Sequence, residues 1–192
     1  MSFDSAKEKA LKKMLSNDKS NKGFVDTKIK SLIEHINSLK NYYTTSSCSG
    51  RIIIIQIPKT GSKKDADFLF RTHEEANSKE LIDTVNNISN VDGDVWLRQE
   101  PAILHVATKT LDDASNVLRI ARRVGFKRNG VFEIKKRVLI ELVSTERIDA
   151  ILIINGKLLV SEDYLNVLVE EANKKLRKTW LKIFELEKSL YV

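Results

Sequence analysis

The chain has 192 residues, 42% apolar and 31% charged, a balance that suits one compact globular domain and excludes a disordered chain. Its longest apolar runs fall far short of the ~20 residues needed to cross a bilayer, and the lone Cys48 excludes an internal disulfide, which together imply a cytoplasmic setting. The net charge of +7 points to an anionic partner, and its distribution matters more than the total.

Residues 3 to 15 form a short basic helix in this reading, and Lys-Glu-Lys-Ala-Leu-Lys-Lys at 7 to 13 is no export leader. Residues 25 to 39 make a stronger helix, with Val25, Ile29, Leu32, Ile33, Ile36 and Leu39 on one face. The hydroxyl-rich run Thr44-Thr45-Ser46-Ser47-Cys48-Ser49-Gly50-Arg51 reads as a loop entering a strand at about 51 to 57. Four consecutive isoleucines, 52 to 55, mark that strand as buried on both faces. A strand at about 66 to 71 follows a turn at 58 to 62, then a helix near 75 to 89 buries Leu81, Ile82, Val85 and Ile88. Strands near 94 to 99 and 102 to 108 lead to a helix at 111 to 124, stopped by Gly125. Strands at about 130 to 134, 137 to 143 and 148 to 154 end at the tight-turn pair Asn155-Gly156. Ser161 then caps a closing helix of ~28 residues whose inward set runs from Leu165 to Leu186. The order describes a single α+β domain: a mixed sheet, flanking helices and a long C-terminal helix, outside the Rossmann pattern.

The hydroxyl run is the candidate site. Five hydroxyls, one thiol and a glycine let backbone lie against a ligand, and Arg51 adds a planar fork for a carboxylate or phosphate. A turn that caps its own backbone would have the same composition. Arg119, Arg122, Arg123, Lys127, Arg128, Lys135, Lys136 and Arg137 lie close together against Glu133 alone, a cluster suited to phosphates. Charges in the last third are mixed and read as a solvated helix face. The seven glycines never fall in G-x-G-x-x-G spacing, so no dinucleotide fingerprint exists. His35, His73, His105 and Cys48 lack metal-ligand spacing, and no metal is expected. His105 sits inside the apolar run Ile103-Leu104-His105-Val106, where a satisfied core histidine is the plain reading; His73 ends a strand.

The stretch Tyr42-Tyr43-Thr44-Thr45-Ser46-Ser47-Cys48-Ser49-Gly50-Arg51-Ile52 resembles the signature of the tRNA wybutosine-synthesising protein 3 family. Upstream, Asp18, Ser20, Lys22, Gly23 and Asp26 fit its N-terminal pattern; downstream, Glu100-Pro101, Leu104-His105-Val106, Ala114, Ala121, Gly125-Phe126 and Gly130 resemble its central block. The likeness runs from about residue 18 to about 175. It departs at Ala150, where a proline is expected, and at Phe68, where the aromatic before His73 is often tryptophan.

The resemblance implies S-adenosylmethionine as methyl donor. It implies methylation of a ring nitrogen in a demethylwyosine-type base with an aminocarboxypropyl arm, in the anticodon loop of phenylalanine tRNA. Such a transfer needs alignment and a proton acceptor rather than a covalent nucleophile. Asp26, with His73 or His105, is the candidate acceptor. Ser46, Ser47, Ser49, Gly50, Arg51 and Glu100 are the candidate cofactor- or substrate-binding residues, with Arg51 on a carboxylate of the methionine moiety or of the arm. Lys22, Arg122, Arg123, Lys127 and Arg128 are assigned to tRNA phosphates. A non-catalytic module that presents the modified base would keep the loop and the basic cluster, and stays open at this point.

Overall fold

The computed structural model describes residues 2–15, 25–61, 65–89, 91–135 and 137–190. Within them the element order is α1 (Phe3–Leu15), α2 (Thr27–Ser38), β1 (Tyr42–Cys48), β2 (Arg51–Ile57), β3 (Asp67–Thr72), α3 (Ser78–Asn86), β4 (Asp94–Glu100) and β5 (Ile103–Thr108). Then come α4 (Leu111–Arg123), β6 (Arg128–Ile134), β7 (Val138–Val143), β8 (Ile148–Ile154), β9 (Lys157–Leu158) and α5 (Glu162–Leu190). The α+β class and the long closing helix stand as expected. The strands do not make one mixed sheet: they form two sheets, ordered β1-β5-β7-β6 and β3-β2-β4-β8-β9, and every pairing is antiparallel.

The chain divides into two compact units, one of residues 1–49, 102–145 and 179–192, the other of 50–101 and 146–178. Neither is a continuous stretch, which is why no linker composition marked a boundary in the sequence.

In the first unit the four-stranded sheet packs one face on helices. Ile29, Leu32, Ile33 and Ile36 of α2 and Ala114, Val117 and Ala121 of α4 share a core with Leu104, Val106, Ile140 and Leu142. Thr110 and Asp113 form a capping box that starts α4. Gly125 ends that helix with φ 104°, a conformation open to glycine, and a Cβ there would meet the Lys182 side chain at 2.6 Å. On the other face α1 covers only part of the sheet, through Phe3, Ala6 and Ala10 against Tyr43, Ala107 and Leu139.

The second unit holds the five-stranded sheet. Ile52, Ile53 and Ile54 of β2 are wholly buried between β3 and β4, as the isoleucine run predicts. The buried stripes of α3 (Leu81, Ile82, Val85) and of α5 (Leu165, Leu168, Val169, Ala172, Leu176) supply the remaining apolar cover. The helix expected at 75 to 89 is shorter at both ends. Asn77 caps it by accepting from the Glu80 amide, and Asn87 closes it. Asn155 (φ 49°) and Gly156 (φ 74°) make the expected tight turn, which pairs β8 with the short β9.

Candidate active site

The hydroxyl run is not a loop. Tyr42 through Cys48 form strand β1, an edge strand paired with β5, and only Ser49 and Gly50 lie between β1 and β2. Aromatic and β-branched side chains at 42 to 45 favour a strand, and small hydroxyl residues are tolerated where one sheet edge meets solvent. Strand alternation then sorts the run. Ser46 stands opposite His105 and Cys48 opposite Ile103, while Ser47 stands opposite Leu104, whose side chain enters the helix-packed core. Thr44 also turns inward, bonded to Asn37 of α2.

The part of the four-stranded sheet that α1 leaves uncovered carries a hydrogen-bonded chain across three strands. His105 Nε2 lies 2.9 Å from Glu141 Oε1 on β7, and His105 Nδ1 lies 2.8 Å from Ser46 Oγ on β1. A carboxylate only accepts, so in the neutral ring Nε2 carries the proton and Nδ1 is left to accept from the Ser46 hydroxyl. His105 is half-buried in its side chain (29% exposed), and the half-exposed Phe132 of β6 stands beside it with ring centroids 5.0 Å apart. The histidine therefore lies within the open face rather than in the core. Glu141 and Phe132 were not singled out in the sequence. A single acid within the apolar run Val138-Leu139-Ile140-Glu141-Leu142-Val143 was the available signal for the first.

Asp26 precedes α2 but makes no side-chain cap to it; its Oδ2 accepts from the Ser49 amide (2.8 Å) and the Ser49 hydroxyl (3.1 Å). Ser49 is fully buried, so this carboxylate anchors the end of β1. Arg122 and Arg123 are exposed in the last turn of α4, where cations complement the helix dipole, and Lys127 and Arg128 continue the exposed cluster into β6. Arg119 and Arg122 line a shallow groove between α4 and β6 with Leu111, Leu118 and Asn129. Lys22, like Asp18, Ser20 and Gly23, lies outside the described residues.

In the second unit, Gly50 has φ 92° and its carbonyl faces His73 Nδ1 at 3.1 Å, so the imidazole holds the chain at the start of β2. Arg51 and Glu100 stand opposite each other on β2 and β4 and form an ion pair, with 26% and 30% of the two side chains exposed. The Arg51 guanidinium also lies 5.3 Å from the centre of the Phe68 ring. A guanidinium beside a carboxylate is complementary in charge to an α-amino acid zwitterion.

A family model described as Methyltransferase TYW3 matches residues 5–191 of this chain. A Thermococcus sibiricus relative named tRNA(Phe) 7-((3-amino-3-carboxypropyl)-4-demethylwyosine(37)-N(4))-methyltransferase is 45% identical over 186 residues, which cover 96% of this chain and 92% of that protein. A Xenopus laevis protein named tRNA wybutosine-synthesizing protein 3 homolog is 36% identical over 178 residues, covering 91% of this chain and 70% of its own. A solved structure from Pyrococcus horikoshii superposes with a TM-score of 0.86 at 37% identity, covering 97% of this chain and 94% of that one.

Proposed function

The chain belongs to the TYW3 methyltransferase family, and on that premise we propose that it methylates N4 of the aminocarboxypropyl-demethylwyosine base in the anticodon loop of phenylalanine tRNA, with S-adenosylmethionine as donor. The donor, when bound, supplies an electrophilic methyl group on a sulfonium. Arg51 and Glu100 fit the amino-acid end of that donor, and equally the arm of the base, which ends in the same zwitterion. The cytoplasm is the proposed setting, and no metal is assigned a part.

The Ser46–His105–Glu141 chain carries this reading. N4 of the base must lose its proton as it gains the methyl group. Ser46 Oγ receives that proton while its own hydroxyl proton passes to His105 Nδ1, and Glu141 offsets the charge of the imidazolium that results. Among the three sequence candidates for proton acceptor, His105 joins a hydroxyl at Nδ1 and a carboxylate at Nε2. Asp26 is committed to Ser49, and His73 to the Gly50 carbonyl; both are assigned to holding backbone. Arg122, Arg123, Lys127 and Arg128 are assigned to tRNA phosphates, with Lys22 in the same role.

Single-turnover methylation of demethylwyosine-containing tRNA tests this assignment. His105→Gln is expected to lower the rate by ~10² or more, the usual scale for a positioned base, while tRNA and donor affinities stay within about twofold. A full rate in the folded variant removes His105 from the chemistry.

A further inference from the structure

We propose that the face of the five-stranded sheet that carries Arg71, Arg98 and Trp96 is a stacking platform for unpaired RNA bases, with Phe68 and Trp96 supplying rings and Arg71, Arg98 and Arg147 supplying cations. The inference rests on the RNA reading above and gives that RNA a contact surface in addition to the basic cluster on α4 and β6.

Cross-strand pairing puts these side chains on one face. Arg71 of β3 stands opposite Ile53, Ile53 opposite Arg98 of β4, and Arg98 opposite Asp149 of β8; in the next rank Phe68 stands opposite Ile55 and Ile55 opposite Trp96. Side-chain contacts agree with the register. The Arg71 guanidinium lies 5.6 Å from the Phe68 ring centre, and that of Arg98 lies 5.5 Å from the Trp96 ring centre. Asp149 binds both Arg98 and Arg147 and pins the two guanidinium groups in place. Phe68 and Trp96 are partly buried and Arg71 is exposed.

The balance of the face identifies its partner. With Arg51, Glu100 and Asp94 included, four arginines oppose three carboxylates, so the face keeps a net positive charge that attracts an anion. Few aliphatic side chains on this face are exposed, which disfavours an apolar protein surface. Aromatic rings interleaved with guanidinium planes offer successive surfaces on which bases stack whatever their identity. A duplex keeps its bases stacked on each other and out of reach of such rings, whereas an RNA loop leaves them available.

The test uses a short unmodified single-stranded RNA and the full chain. The protein has 2 tryptophans, so Trp180→Phe leaves Trp96 as the sole indole reporter. RNA is expected to quench Trp96 fluorescence in that background, and duplex RNA of the same composition to leave it nearly unchanged. Phe68→Leu and Trp96→Leu, each checked for folding by circular dichroism, are expected to weaken single-strand binding roughly five- to a hundredfold, the range for one stacked base. The triple change Arg122→Ala, Arg123→Ala, Arg128→Ala is expected to weaken binding and flatten the log K against log salt slope by about two, while quenching at saturation persists. Absent quenching with unchanged affinity in both leucine variants overturns the platform and leaves the His105 assignment intact. Absent binding of the short strand by an unaltered chain that still methylates tRNA overturns the platform alone, and absent methylation of tRNA as well overturns the RNA reading with it.

Discussion

The two sheets expose faces built by the same device and equipped for different work. On the four-stranded sheet, directly opposed residues place a hydroxyl, an imidazole and a carboxylate in a row: Ser46, His105, Glu141. On the five-stranded sheet, directly opposed residues place guanidinium groups against carboxylates: Arg51 with Glu100 and Arg98 with Asp149. Imidazole exchanges a proton near neutral pH and a guanidinium does not, so the first face suits chemistry and the second suits recognition of fixed charge. Cross-strand neighbours are the natural unit for either, because their Cβ atoms lie only about 5 Å apart. A division of labour follows: changes on the first face should act on rate, and changes on the second on affinity.

Arg51→Ala offers the largest test of the second half of that division. A charge-assisted contact contributes on the order of 1.5 to 3 kcal/mol, so donor or base affinity should fall roughly ten- to a hundredfold, while the single-turnover rate at saturation changes little. Titration calorimetry with S-adenosylmethionine and a saturation series with tRNA measure the two parts. A rate loss that persists at saturation would give Arg51 a place at the reacting atoms and erase the contrast between the faces.

Asp26 tests the boundary of the first face. Asp26→Ala removes the acceptor of two Ser49 hydrogen bonds and leaves a buried amide and hydroxyl without it, so stability should fall by about 1 to 3 kcal/mol in urea unfolding. Rate and affinity should decline together, in contrast to His105→Gln. Unaltered stability with a selective rate loss in Asp26→Asn would make Asp26 a second proton acceptor.

The elements of both sheets were largely legible in the sequence, since the Ile52 to Ile55 run, the helical stripes and Asn155-Gly156 are local signals that the packing respects. Two features were not. Ser and Thr are frequent in turns, so a hydroxyl-rich edge strand reads as a loop until a partner strand is known, and β1 finds its partner β5 more than fifty residues later. The pairing of Ser46 with His105 and of His105 with Glu141 depends on strand register, which residue spacing along the chain does not encode. His105 accordingly read as a core histidine, although the structure gives it two polar partners at the surface.

The packed side of the four-stranded sheet provides the smallest effect and a control for the comparison. Asp113 closes the capping box of α4, and Ala114, Val117 and Ala121 of that helix pack on the face opposite His105. Burial works to raise the Asp113 pKa, but hydrogen bonds from Thr110, Asn41 and Tyr42 outweigh it and hold the carboxyl below its ordinary value of 3.8. A carboxyl whose folded pKa is depressed stabilises the protein above its unfolded pKa, and that stabilisation is lost as pH falls through the folded one. Asp113→Ala should therefore cost about 1 kcal/mol at neutral pH, the usual scale for a helix cap, and the gap from the unaltered protein should narrow as the pH drops below the ordinary aspartate range. The methylation rate of the folded variant should stay near normal, because Asp113 touches neither Ser46, His105 nor Glu141. A pH-independent gap would assign the loss to packing alone, and a large rate loss in stably folded protein would show that the helix side of the sheet sets the geometry of its open side.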